Sequence, residues 1–177
     1  RGIDEILANL PVNSADSAGM TAQQRKTLER LAELRQELST VESSNPGLAS
    51  KSISTQLKMA QVNRRLGQYS QATAHVELAE QSIRTFPESD EDYPAIKMFL
   101  TDSLIERAVI SHQLGEYQVA LDRLSEASQV IEELRSTKVA SGLAPLEVRC
   151  LRNRGMAYER LLNFKAAQQA FEAAVAL

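Results

Sequence analysis

The chain has 177 residues and 43% hydrophobic residues, enough for one well-buried domain. Aromatic residues make up 5% and Trp is absent, which disfavours β-sandwiches and barrels, and the abundance of Ala, Leu, Glu, Gln and Arg predicts an all-α fold. A net charge of −3 argues against nucleic acid or an anionic membrane as the main partner, and a single cysteine excludes an internal disulfide framework.

The N-terminal part is predicted to hold two helices. Residues 1–20 are expected to form a short helix followed by a flexible loop. The segment 21–50 is expected to form an amphipathic helix and a linker, because Leu28, Leu31 and Leu34 begin an apolar stripe at helical spacing. We expect this helix to cap the helices that follow or to be the second helix of a degenerate repeat. A coiled coil is the alternative, but the stripe is shorter than three heptads.

From residue 51 onward one pattern occurs three times. Its centres are the segments 66–72, 114–120 and 161–167, with the sequences LGQYSQA, LGEYQVA and LLNFKAA. Small residues precede each turn position by seven residues, at Ala60, Ala108 and Gly155. The pattern predicts a helical hairpin, because a glycine closes the first helix in the left-handed conformation and small residues let the two helices approach closely.

The pattern predicts three hairpins, at residues 51–86, 95–136 and 146–177. Their six helices are expected at residues 51–66, 70–85, 95–114, 117–136, 146–162 and 164–177. Pro94 and Pro145 suit the first turn of a helix, where a missing N–H costs nothing.

These residues resemble tetratricopeptide repeats. The third copy matches the family's spacing at Leu151, Gly155, Tyr158, Phe164, Ala167, Phe171 and Ala174. The resemblance implies a right-handed superhelix of antiparallel hairpins, with a concave groove that binds a protein segment. The chain departs from the family in its period, because the turn position recurs at residues 67, 115 and 162, whereas the standard unit has about 34 residues. Leu162 also replaces the turn glycine of the third copy.

Motifs that carry chemistry are absent from the sequence. It contains no phosphate-binding loop, dinucleotide-binding turn or metal-ligand spacing. His75 and His112 have no partner at metal-binding spacing and are interpreted as packed or surface residues, and Cys150 as a buried, inert thiol. We therefore expect no enzyme activity, no cofactor and no metal.

In tetratricopeptide arrays the first helix of each hairpin lines the groove. The candidate groove residues are Leu57, Lys58, Gln61, Arg64, Arg65, Ile105, Glu106, Val109, Arg149, Arg152, Asn153, Met156 and Arg160. Five of them are arginines, whose guanidinium forks suit carboxylates and phosphates. The hypothesis is that an acidic or phosphorylated peptide with an apolar anchor binds here. The alternative is that the arginines pair with neighbouring glutamates or are only solvated.

The leading functional prediction is a protein-interaction module within a longer, cytoplasmic protein, since the chain begins with Arg1 and ends inside an apolar helical pattern. The first alternative is self-association. Phe171, Ala174, Val175 and Leu177 are expected to be exposed on the last helix, and a homodimer would cover them. The second alternative is a regulatory sensor segment attached to an enzyme or a transcription factor.

Overall fold

The computed structural model describes residues 49–177, together with Ala22 and Lys26, which are helical and exposed. These two apart, the predictions for residues 1–20 and for the helix of segment 21–50 lie outside the described residues. Between residues 49 and 177 the chain forms six α-helices and no strand. The all-α prediction is confirmed for this part of the chain.

Each helix begins and ends within two residues of its predicted bounds. The helices are α1 (Ala49–Arg65), α2 (Tyr69–Arg84), α3 (Tyr93–Gln113), α4 (Tyr117–Leu134), α5 (Ala144–Arg160) and α6 (Phe164–Val175). Pro94 and Pro145 lie in the first turns of α3 and α5, as predicted. A 3-10 turn, Ala140–Gly142, precedes α5.

Each helix packs against the next one along the chain. We call the pairs α1–α2, α3–α4 and α5–α6 hairpins one, two and three. The first helices of consecutive hairpins also pack against each other, α1 on α3 and α3 on α5. The second helix of one hairpin also packs against the first helix of the next, so α3 contacts both helices of hairpin one and α5 contacts both helices of hairpin two.

The three hairpin turns have the same backbone geometry. Gly67, Gly115 and Leu162 occupy the left-handed region, with φ of 77°, 83° and 59°. In each turn the N–H of the next residue donates to the carbonyl five residues before it. The N···O distances are 2.8 Å for Gln68 to Asn63, 2.9 Å for Glu116 to Ser111 and 2.9 Å for Asn163 to Tyr158. This is the Schellman arrangement, which satisfies the last carbonyls of a helix. Leu162 therefore adopts the left-handed backbone conformation that glycine adopts in the other two turns.

Replacing Leu162 with Gly is expected to raise the free energy of unfolding by about 1 kcal/mol, because the left-handed conformation costs an L-residue about that much. The Leu162 side chain is exposed, so its removal sacrifices little burial. Urea unfolding followed by circular dichroism measures the change.

The matched control for Leu162 is Gly115→Ala. No atom lies within 4 Å of the added Cβ, so its cost is conformational only. We expect a loss of about 1 kcal/mol. A stability gain for Gly115→Ala, or a loss for Leu162→Gly, would contradict the shared turn geometry.

Small residues hold the helices together at equivalent places in the repeats. Ala60, Ala72, Ala108 and Ala120 are all buried. In hairpin three the position of Ala108 is Gly155, where a Cβ would lie 2.4 Å from the Phe171 ring. The residues at the position of Phe171 in the other two hairpins are the smaller Val76 and Leu124. A larger residue on one helix is thus accompanied by a smaller one on the other.

The aromatic residues that begin α2, α4 and α6 differ in their surroundings. Tyr69 is half-buried against a cluster that includes Ile110 of the next hairpin. The Tyr117 ring packs edge-on against His112, with centroids 5.3 Å apart. Phe164 is 64% exposed. The difference follows from position, because Phe164 lies on the last described helix and no further hairpin packs beside it.

Candidate functional site

Three predicted groove residues are buried in helix packing. Leu57, Ile105 and Glu106 are 5%, 0% and 2% exposed, so the expectation that they face a ligand is wrong. Leu57 belongs to a cluster that includes Ile96 of α3. The reason is the close packing of α1 on α3 and of α3 on α5, which turns these positions into contacts between hairpins.

Two groove arginines form ion pairs that join consecutive hairpins. Arg64 of α1 donates through Nε to the buried carboxylate of Glu106 on α3. Arg149 of α5 donates through Nη1 to Asp102 on α3, at 2.5 Å. Arg64 thus pairs with a glutamate, as the alternative interpretation expected, whereas the partner of Arg149 is an aspartate. Both pairs link first helices, so they stabilise the packing of one hairpin on the next.

Arg65 lies beside the Arg64–Glu106 pair. Burial lowers the pKa of Arg65, and the positive charge of Arg64 lowers it further, while Glu106 opposes both effects. Its Nη1 is buried and has no hydrogen-bond partner among the described residues. The carboxylate of Glu106 therefore forms its ion pair with Arg64 and also acts on the charge of Arg65.

The predicted groove residues that are fully exposed both lie on α5. Arg152 and Arg160 are exposed and have no ion pair within residues 49–177. Met156, half-buried, lies between them at helical spacing. We call Arg149, Arg152, Met156 and Arg160 the α5 stripe. The other accessible groove residues are half-buried: Lys58, Gln61, Arg65, Val109 and Asn153.

His112 connects the end of α3 to the α5 stripe. Burial lowers the pKa of His112, a backbone hydrogen bond with Met156 raises it, and the charge of Arg160 lowers it. The first effect is the largest, so the imidazole is neutral at pH 7. His75 is also packed, because its Nδ1 lies 2.7 Å from Oε1 of Gln56 and burial lowers its pKa.

Cys150 is buried between α4 and α5, as predicted. Its thiol donates to the carbonyl of Leu124 at 3.2 Å, and Ser128 Oγ lies 3.4 Å from the sulfur. Burial raises the pKa of the Cys150 thiol. A thiol that is both buried and held in the protonated form is a poor nucleophile.

A cleft is lined by residues of α2, α3 and α4. This cleft has a volume of about 460 Å³, and we call it the second-helix cleft. Its apolar lining residues include Phe86, Leu100 and Val130. Its charges are largely paired within the protein: Arg107 with Glu80, Lys97 with Glu133, and Arg123 with Glu126.

Sequence reasoning missed the second-helix cleft. Glu80 lines it, is largely buried, and accepts from Ser103 Oγ at 3.3 Å and from Arg107 Nη1 at 2.9 Å. The only sequence signal was a glutamate next to Ala79, on the face that packs against the following hairpin. A charged residue at such a position indicates a polar partner on the next helix, and Arg107 is that partner.

Over the described residues no group of three or more His, Cys, Asp or Glu side chains could hold a metal ion. None of the described helices is both long and apolar enough to cross a membrane. Comparison with known proteins finds no matching family model, no similar curated protein and no similar solved structure.

Proposed function

We propose that this chain is a protein-interaction module of tetratricopeptide type that binds an acidic peptide along its first helices. In this proposal the three hairpins stack as a right-handed superhelix whose inner surface is formed by α1, α3 and α5. Support comes from the turn geometry repeated at Gly67, Gly115 and Leu162, and from the side-by-side packing of the first helices.

The observation that carries the proposal is the state of the arginines on α5. Arg149 is held by Asp102, whereas Arg152 and Arg160 are exposed without a carboxylate partner among the described residues. A guanidinium group that already has a partner contributes little to ligand binding, because the existing pair must first be broken. Arg152 and Arg160 lie on either side of Met156, two turns of helix apart.

This arrangement suits a peptide with two acidic groups and one apolar side chain between them. Arg152 and Arg160 present planar forks that bind carboxylate or phosphate through two hydrogen bonds. Met156 offers a flexible apolar contact, and Val109 of α3 is half-buried at the equivalent position of the preceding hairpin. The ligand is therefore expected to contact α5 most closely and to extend toward α3.

The test selects peptides from a displayed random library on the intact chain and then measures one labelled peptide by fluorescence anisotropy. We expect the selected sequences to be acidic. The double variant R152E/R160E is expected to weaken binding by about 10- to 100-fold, because two attractive charges become repulsive.

The matched control is R84E/R123E, which reverses two arginines that line the second-helix cleft. This variant has the same net charge as R152E/R160E but leaves the α5 stripe unchanged, and we expect affinity to change by less than about twofold. Loss of binding in R84E/R123E with none in R152E/R160E would assign the peptide to the cleft instead. Selection of basic peptides would also contradict the proposal.

A further inference from the structure

Two large apolar side chains of α6 are exposed, beside the polar side chains of Lys165, Gln168, Gln169 and Glu172, the last of which accepts from Gln168 Nε2 at 2.8 Å. Val175 is 88% exposed and Phe164 is 64% exposed. Leu161, Leu162 and Leu177, which flank the helix, are exposed as well. We call this surface the α6 face. Isolated exposed apolar residues are ordinary, but Phe164 and Val175 lie on the same side of one short helix, and exposed apolar side chains grouped on one side of a helix are typical of an interface.

The equivalent faces of α2 and α4 each carry another helix. The same position of the repeat is occupied by Glu80 in hairpin one, Ser128 in hairpin two and Val175 in hairpin three, and its surroundings show this most directly. Glu80 hydrogen-bonds to Ser103 on α3, and Ser128 lies 3.4 Å from the sulfur of Cys150 on α5. The first two side chains are polar and meet polar groups, whereas Val175 is apolar. The α6 face is thus a helix-docking surface suited to an apolar occupant.

The charges of α6 are self-complementary. Among its twelve residues only Lys165 and Glu172 are charged, and both are exposed. They are seven residues apart, so they lie on nearly the same side of the helix. Consider two α6 helices that pack antiparallel and are related by a twofold axis midway between Lys165 and Glu172. Each Lys165 then lies opposite the Glu172 of the other helix. The same alignment places Leu162 of one helix opposite Val175 of the other.

We propose that the α6 face binds the α6 face of a second copy of this chain, forming a twofold-symmetric dimer with antiparallel α6 helices. Such an interface is isologous, so each contact occurs twice. Phe164 and Val175 supply the apolar area, and the two Lys165–Glu172 pairs fix the orientation. Phe164 and Val175 lie on the second helix of hairpin three and the α5 stripe on the first, so dimerisation and the proposed peptide binding can be tested with different variants.

The experiment is sedimentation velocity of the 177-residue chain over a concentration series. We expect a monomer–dimer equilibrium. Val175→Glu is expected to weaken the dimer by at least about 100-fold, because two carboxylates would be buried in an apolar contact. Circular dichroism verifies that the variant is folded, which is expected because the Val175 side chain is exposed in the monomer.

Charge reversal tests the antiparallel orientation. Lys165→Glu and Glu172→Lys are each expected to weaken the homodimer by about tenfold, because every attractive pair becomes repulsive. The double variant K165E/E172K is expected to recover wild-type association. An equimolar mixture of the two single variants is expected to form a heterodimer, because its pairs are attractive again. The control Lys138→Glu, an exposed lysine outside α6, is expected to leave the dimer unchanged.

Three outcomes would overturn the proposal. The first is a wild-type chain that stays monomeric at every concentration. The second is a dimer that Val175→Glu does not weaken, which would place the interface elsewhere. The third is a double charge reversal that does not restore association, which would exclude the antiparallel pairing. None of these outcomes affects peptide binding measured with R152E/R160E, so the two proposals fail separately.

Discussion

Replacing Glu106 with Ala is expected to lower the free energy of unfolding by about 3 kcal/mol, the cost of leaving a buried charge without its partner. The side chains of Arg64 and Glu106 are only 15% and 3% exposed, so water replaces the lost carboxylate poorly. Arg65 also loses the one negative charge that favours its protonated form. Two adjacent cations would then remain at the contact between α1 and α3. Urea unfolding monitored by circular dichroism measures the loss.

A double-mutant cycle separates the ion pair from simple loss of packing. Arg64→Met and Glu106→Leu are each expected to destabilise the chain, whereas the double variant R64M/E106L is expected to recover most of the loss because no unpaired charge remains at the pair. Asp102→Ala is the matched control, since its pair with Arg149 is more exposed. We expect that change to cost no more than about 1 kcal/mol. Equal losses for Glu106→Ala and Asp102→Ala would contradict this account.

The second large change in stability is expected where Gly155 of α5 packs against Phe171 of α6. Gly155→Ala is expected to lower the free energy of unfolding by about 2 kcal/mol, because overpacking costs 1–3 kcal/mol. The added Cβ would lie 2.4 Å from Cε1 of Phe171, too close for any pair of carbon atoms. Alanine normally stabilises a helix by about 1 kcal/mol relative to glycine, so the net loss measures the steric conflict after that gain. Thermal unfolding of the intact chain detects it.

The conflict is expected to be relieved by shortening the opposite side chain. In G155A/F171L the pair becomes Ala and Leu, the same combination as Ala108 and Leu124 at the equivalent positions of hairpin two. We expect the double variant to be more stable than Gly155→Ala alone, although Phe171→Leu alone is destabilising through loss of buried area. Additive effects of the two substitutions would show that the ring swings out freely and that Gly155 is not required by packing.

Much of this fold follows from periodic features of the sequence. The positions of Gly67 and Gly115, and of small residues such as Ala60 and Ala108, predict where the helices end and where they approach. These are local properties, because a left-handed turn and a small contact residue depend mainly on residue type. Leu162 shows the limit of that rule. Its residue type alone would not predict a left-handed conformation, and only its place in the third copy of the pattern indicates one.

The candidate site was predicted less well, because burial there depends on packing between hairpins. Leu57 and Ile105 lie on the first helices at positions predicted to face a ligand, yet α1 and α3 are close enough to bury both. The angle between neighbouring helices decides this, and no single residue specifies it. The pairing of Arg64 with Glu106 could not be assigned for the same reason, since the residues are 42 positions apart.

Both ion pairs between first helices draw their carboxylate from α3. The outer hairpins supply the cations, Arg64 on one side and Arg149 on the other. Hairpin two is therefore not interchangeable with its neighbours, and a chain from which it were deleted would bring guanidinium groups together where an acid is needed. The packing between first helices therefore depends on the order of the hairpins, because a carboxylate of hairpin two meets an arginine of each neighbouring hairpin.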